Sequence, residues 1–220
     1  MIDFHTHTLP CADHGCDGEE TSRLQLAAAV QAGVEVLCVT PHFYPHRHTL
    51  EIFREKRRVG LSVLERIEGE KPRLIHGAEV LLCEEMHRME GIRELCLAGT
   101  NVMLLELPNR PFSRELADTV RGMERMGIVP VLAHIERYPA KDRLAALDVC
   151  PRVQMNLEGI GGLFQKGFAR KMSELGLLCA VGSDMHGADA PYRRLAAAKR
   201  ALGDRWDDVQ RRTSRLLGIE

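Results

Sequence analysis

The opening residues Met-Ile-Asp-Phe-His-Thr-His-Thr-Leu-Pro-Cys-Ala-Asp-His-Gly-Cys crowd three histidines and two aspartates around one short apolar run. His5 and His7 alternate with Phe4, Thr6 and Thr8, so on an extended backbone both imidazoles project from one face toward a shared point. A lone His-x-His is more often a polar strand end that bonds locally or meets water. Further side chains of the same chemistry follow, each closing an apolar run: His42 in Thr-Pro-His, Glu79 in Gly-Ala-Glu, Glu106 in Leu-Leu-Glu, His134 in Leu-Ala-His, and Asp184 with His186 in Gly-Ser-Asp-Met-His. Asn156, closing Gln-Met-Asn, is the exception. Mixed imidazole and carboxylate donors suit Mn²⁺, Fe²⁺ or Zn²⁺ better than Ca²⁺.

The runs themselves are Ile-Asp-Phe-His, Val-Glu-Val-Leu-Cys-Val-Thr, Arg-Leu-Ile-His-Gly-Ala-Glu-Val, Asn-Val-Met-Leu-Leu-Glu-Leu, Ile-Val-Pro-Val-Leu-Ala-His, Arg-Val-Gln-Met-Asn and Leu-Leu-Cys-Ala-Val-Gly-Ser-Asp. They are nearly continuous in apolar residues, the pattern of parallel strands covered on both faces. Helical segments lie between them: Glu20 to Ala32 closed by Gly33, Leu50 to Glu68 behind a Thr49 cap, and Arg114 to Met126 closed by Gly127. Parallel strands joined by right-handed crossovers bring their carboxyl ends to one face, which in a closed βα barrel carries the chemistry. Six of seven strands then end in a metal-competent side chain, a recurrence that a set of satisfied core residues does not explain.

Composition narrows the function classes. The 220 residues make one domain, 1–220, with enough chain for a sizeable core. Thirty Lys and Arg nearly balance 31 Asp and Glu, so no surface is built to hold a nucleic-acid backbone by long-range charge. The start lacks a signal-peptide pattern and no run is long enough to span a bilayer, so a cytoplasmic protein without membrane insertion is expected. Seven scattered cysteines read as reduced residues, with Cys38, Cys96 and Cys179 in apolar runs. A zinc knuckle of Cys11, His14 and Cys16 lacks the second cysteine pair a closed site needs.

At Met-Ile-Asp-Phe-His-Thr-His, Thr-Pro-His-Phe, Gly-Ala-Glu-Val, Val-Leu-Ala-His-Ile-Glu-Arg-Tyr and Gly-Ser-Asp-Met-His-Gly the chain resembles the PHP (polymerase and histidinol phosphatase) superfamily, within it the bacterial tyrosine-protein phosphatases of capsule and exopolysaccharide synthesis. The resemblance implies a distorted seven-stranded (β/α)7 barrel holding three divalent ions, Mn²⁺ by family habit with Fe²⁺ or Zn²⁺ as alternatives. It implies His5, His7 and Asp184 on a first ion, Glu79 bridging to a second held also by Glu106 and His134, and His42 with His186 on a third. Where the family has Asp-Asp-Gly this chain has Asp13-His14-Gly15, so His14 stands at the third ion's remaining ligand, with Asp13 as its rival. Where the family places an arginine seven residues after the aspartate, this chain has Pro191, and Arg193 or Arg194 is the substitute. The implied partner is a phosphotyrosine protein, a tyrosine kinase of polysaccharide export.

In such a site neighbouring divalent ions bind two phosphate oxygens and a bridging water attacks phosphorus in line. Arg137, three residues past His134, can grip the phosphate with a bidentate guanidinium. The loop His42 to Thr49 adds Phe43, Tyr44, His46, Arg47 and His48 beside a ligand; Gly-Ile-Gly-Gly-Leu-Phe reads as a tight loop after the sixth strand; His76 and His87 read as structural or exposed. No cysteine is followed six positions on by arginine, which excludes the Cys-x5-Arg thiolate route to phosphotyrosine. The alternatives are a small-molecule phosphatase of the superfamily acting on histidinol phosphate, a PHP exonuclease, and a metal-binding regulator without turnover.

Overall fold

The computed structural model describes residues 1–219. Its strands are β1 Ile2–Thr6, β2 Val36–Val39, β3 His42–Phe43, β4 Arg73–His76, β5 Glu79–Leu81, β6 Val102–Glu106, β7 Val129–Leu132, β8 Val153–Asn156 and β9 Leu178–Gly182. The helices are α1 Glu19–Gln31, α2 Leu50–Arg66, α3 Arg114–Arg125, α4 Ala140–Leu147, α5 Leu157–Ile160, α6 Lys166–Glu174, α7 Leu195–Leu202 and α8 Arg205–Leu217. Strand and helix alternate except between β2 and β3 and from β4 to β6, where no α-helix intervenes and only two short 3₁₀ turns, Met86–Arg88 and Ile92–Leu95, lie between β5 and β6. All strand pairings are parallel.

Two of the seven expected strands are each broken in two, and the breaks have local causes. Pro41 has no N–H to donate and separates β2 from β3. Gly77 separates β4 from β5 where a Cβ would come within 2.7 Å of Leu97 Cδ2. The pieces pair differently: β1-β2-β4 form one sheet and β3-β5-β6-β7-β8-β9 another, so two stretches of chain pass from the first sheet to the second. At the other margin the Asp184 N–H donates to the His5 carbonyl at 2.8 Å, and Thr6 bridges Met185 in parallel.

Apolar packing crosses the sheet boundary. Phe4, Cys38 and Ile75 of the first sheet share one buried cluster with Leu104, Val131 and Ala180 of the second. Outside, Leu26 and Leu64 of α1 and α2 cover Leu37 and Val39, and Leu116 and Val120 of α3 belong to the cluster that contains Leu105 and Leu132. Caps set the helix starts: Thr49 accepts the Ile52 N–H at 3.2 Å and Ser113 the Leu116 N–H at 3.3 Å. Gly33 and Gly127, at φ +72° and +79°, close α1 and α3. Gly-Ile-Gly-Gly-Leu-Phe is only partly a loop, since α5 occupies its start and leaves Leu163 and Phe164 exposed. Among the described residues no helix is long and apolar enough to cross a membrane.

Candidate metal centre

The strand ends converge. His5 lies in β1 and His7 two residues on, both fully buried, with their Nε2 atoms 3.1 Å apart. Glu79 Oε2, at the start of β5, is 3.2 Å from each, and Asp184 Oδ1, just past β9, is 3.5 Å from His5 and 3.3 Å from His7. Donor atoms bound at about 2.1 Å around one ion lie roughly 3.0–3.4 Å apart along the edges of an octahedron or tetrahedron. Four of the five observed spacings fall in that range, and the fifth, His5 to Asp184 at 3.5 Å, lies just above it.

Glu79 is the hub. Its Oε1 is 2.7 Å from His134 Nε2, and its Oε2 is 2.9 Å from His42 Nδ1, which in turn is 3.9 Å from Glu106 Oε2. Although these atoms are close, His42 Nδ1, Glu79 Oε2 and Glu106 Oε2 are buried without a directed hydrogen bond. Three buried polar atoms crowded together without a directed hydrogen bond are costly unless they share a cation. The donors fall into four overlapping groups: His5, His7, Asp184; His5, Glu79, His134; His42, Glu79, Glu106; and His7, His42, His186.

The loop from Leu9 to Gly18 supplies the rest. Asp13 has little left to offer a cation, since its Oδ2 faces His7 Nδ1 at 2.7 Å and accepts the His42 N–H at 2.8 Å, while Oδ1 accepts the Gly15 N–H at 2.8 Å. It orients His7 from behind. The His14 ring instead stacks on His42 at 4.9 Å and lies 4.7 Å from His186. Gly15 is obligatory here, because a Cβ would fall 2.1 Å from that of His7. Among the described residues no group of candidate ligands includes a cysteine; Cys11 and Cys16 hydrogen-bond to Asp17, Gly18 and Ser22.

The electrostatics ask for positive charge. Burial opposes ionisation of Glu79, Asp184 and Asp13, yet the imidazoles around them override it and hold all three well below the usual carboxylate range. Burial likewise opposes charge on His5 and His7, and the carboxylates beside them lift both pKa values. Glu106 is pushed up to about 7 by burial and by the Glu79 charge. Burial lowers His134 and His186. Protons on His5 and His7 thus stand where a divalent cation would balance the acids more fully.

Of the three arginines named from sequence, Arg137 and Arg193 line one cleft of about 270 Å³ together with Asp184 and His186, and Arg194 does not. Arg137 Nη2 meets Asp184 Oδ2 at 2.6 Å with its side chain 54% exposed. Arg193 and Arg194 are each 3.3 Å from a Glu158 oxygen. In the His42 loop, Tyr44 stacks on His42 at 4.9 Å and Arg47 lies over the Tyr44 ring, while His48 Nδ1 accepts the Tyr44 N–H. His48 is therefore a loop fastener, and His46 is exposed. Two residues escaped the sequence reading although they sit in its most specific motif. Tyr138 places its hydroxyl 3.3 Å from His134 Nδ1 and accepts the Leu107 N–H; Glu136 is buried and accepts the Asn156 N–H at 3.0 Å.

A parallel α/β fold with a buried knot of imidazoles and carboxylates at its strand ends has the donor set that could hold divalent metal ions. The family model for capsular polysaccharide synthesis, CpsB/CapC, matches residues 1–214, and the chain belongs to that family. It is similar to tyrosine-protein phosphatase CpsB of Streptococcus pneumoniae, 26% identical over 218 residues that cover 89% of this chain and 88% of that one. It is also similar to tyrosine-protein phosphatase YwqE of Bacillus subtilis, 27% identical over 208 residues, or 84% and 77% of the two chains. A solved chain from the crystal structures of YwqE and CpsB, described as unique metal-dependent tyrosine phosphatases, superposes with a TM-score of 0.80 at 22% identity, covering 100% of this chain and 95% of that one.

Proposed function

We propose that this chain is a metal-dependent protein-tyrosine phosphatase whose substrate is a phosphotyrosine protein, with a tyrosine kinase of polysaccharide export as its cytoplasmic partner. The observation that carries the proposal is the set of buried imidazole and carboxylate atoms converging on Glu79 in overlapping donor groups, three of them without a directed hydrogen bond. The family and the names of the relatives support the reaction and its setting.

Three ions, Mn²⁺ first among Mn²⁺, Fe²⁺ and Zn²⁺, fit the overlapping donor groups. His5, His7 and Asp184 would hold one, Glu79 would bridge to a second shared with Glu106 and His134, and His42 and His186 would hold the third, with His14, which belongs to none of the four donor groups but has its ring beside both, turning in to complete it. When bound, such ions supply Lewis-acid contacts to phosphate oxygens and a water acidic enough to act as nucleophile near neutrality. The chain's own residues do the rest. Arg137, half exposed beside Asp184, offers a guanidinium fork to phosphate oxygens, and Arg193, paired with Glu158 on the same cleft, offers a second guanidinium. Asp13 holds the His7 ring so that Nε2 faces inward. Tyr44, packed on His42, provides an aromatic wall for a substrate ring.

The same reading takes the nine strands as one domain closed into a distorted seven-stranded barrel, with each split pair counted once. The His5 to Asp184 hydrogen bond, the Thr6 to Met185 bridge and the apolar cluster common to both sheets support closure. Turnover of a phosphotyrosine peptide against histidinol phosphate, with Mn²⁺ present, tests the substrate. A large preference for histidinol phosphate would replace the proposal by the small-molecule reading, and metal uptake without hydrolysis of either by the regulatory one.

A further inference from the structure

Of the seven apolar runs only the one that forms β8 closes without a strong metal ligand, and it carries two neutral amides, Gln154 and Asn156. Both are buried. Gln154 Oε1 accepts the His134 backbone N–H at 2.7 Å, and because that group can only donate, the amide orientation is decided. Its Nε2 is then the donor to Asn156 Oδ1 at 2.8 Å, and Asn156 Nδ2 is the donor to Asp184 Oδ2 at 2.8 Å.

Gln154 Oε1 also lies 3.3 Å from His5 Nδ1. An amide oxygen only accepts, so His5 Nδ1 carries a proton toward it, and Nε2, which faces His7, Glu79 and Asp184, is left as the nitrogen that would give up its proton to meet a cation. We infer that Gln154, acting with Asn156, is a positioning residue that sets the His5 tautomer and turns Asp184 Oδ1 toward the imidazoles; the inference rests on the metal-centre reading above.

Two independent features support it. His134 and Asp184 are non-glycine residues at φ +31° and +51°, a strained backbone region, and each is held by this pair of amides. Gly182 opposes them, and a Cβ there would come 2.6 Å from His5 Cβ and 2.9 Å from Gln154 Nε2. The glycine keeps the two side chains in contact. Neutral amides suit the task, since they connect ligands without adding charge among carboxylates that already repel.

The test uses the full chain labelled with ¹⁵N-histidine and loaded with Zn²⁺, a diamagnetic candidate ion. Zn²⁺ affinity is measured by chelator competition and the His5 tautomer by ¹⁵N shifts, with circular dichroism as the check on folding. In the wild type His5 should carry its proton on Nδ1. Gln154→Met, of similar volume but without the acceptor, should weaken the tightest Zn²⁺ about 10–100-fold and speed exchange of the His5 Nδ1 proton. Gln154→Glu keeps an acceptor at the same place and should retain the Nδ1–H signal. A folded Gln154→Met with wild-type affinity and an unchanged His5 signal overturns the inference alone. If Gln154→Met does not fold, loss of the Nδ1–H signal in folded Gln154→Glu overturns it. Wild-type protein that takes up no Zn²⁺ removes the metal reading and this inference together.

Discussion

Arg137→Ala separates catalysis from metal binding. The guanidinium is 2.6 Å from Asp184 Oδ2 but 54% exposed, so the ion pair adds at most about 1 kcal/mol to stability. For a chain of this size that is a fall in Tm of about 2–4 °C. Asp184 keeps the Asn156 amide at 2.8 Å and its imidazole neighbours, so its place among the donors survives. A buried oxyanion donor contributes roughly 2.7–4 kcal/mol to the transition state, and exposure of half the side chain cuts this to about 2 kcal/mol. That corresponds to a roughly 30-fold loss of kcat. Arg137→Lys keeps the charge without the fork and should fall between. The assay is kcat and KM on a phosphotyrosine peptide, with metal content by mass spectrometry on the same samples. Unaltered kinetics in a fully metallated variant would take Arg137 out of the phosphate site, and loss of metal would make it a structural brace for Asp184.

His14→Ala should lower metal stoichiometry and His14→Asp restore it; loss on Asp13→Ala but not on His14→Ala would move the ligand one residue. Gly15→Ala, with its new Cβ 2.1 Å from that of His7, should prevent metal uptake at His7, and isothermal titration would read the missing site. Mn²⁺ at 100 times its Kd stabilises the fold by about 2.7 kcal/mol, which should raise Tm by about 5–11 °C over the chelated protein; an unchanged midpoint contradicts a preformed site. Single Cys→Ser variants should keep activity, because burial pushes the Cys96 and Cys150 thiols up to about 11 and that of Cys179 to about 12. A folded, metallated Cys→Ser variant without hydrolysis would contradict a metal-dependent mechanism.

What could be read in the sequence was what depends on neighbours along the chain. The run through Val131 to His134 announces a buried strand with a polar end, and Thr49 before Leu50 announces a helix start, because burial pattern and caps act over a few residues. The strand-end rule then found His5, His42, Glu79, Glu106, His134 and Asp184, which the fold brings together. Asp13 was ambiguous because one of its partners, the His42 N–H, lies 29 residues away. Gln154 and Tyr138 passed unnoticed for a different reason: neutral side chains carry no signature of chemistry until their partners are known. The division into two sheets was missed because Pro41 and Gly77 look like ordinary strand neighbours until pairing shows that the chain changes sheets.

The most direct test of the metal-dependent phosphatase is reconstitution of the chelated protein with measured increments of Mn²⁺, following phosphate release from a phosphotyrosine peptide against bound metal per chain. Hydrolysis should be absent from the metal-free protein and rise with occupancy to a plateau at three ions. Full activity in metal-free protein, or saturated metal with no release of phosphate, would contradict the account.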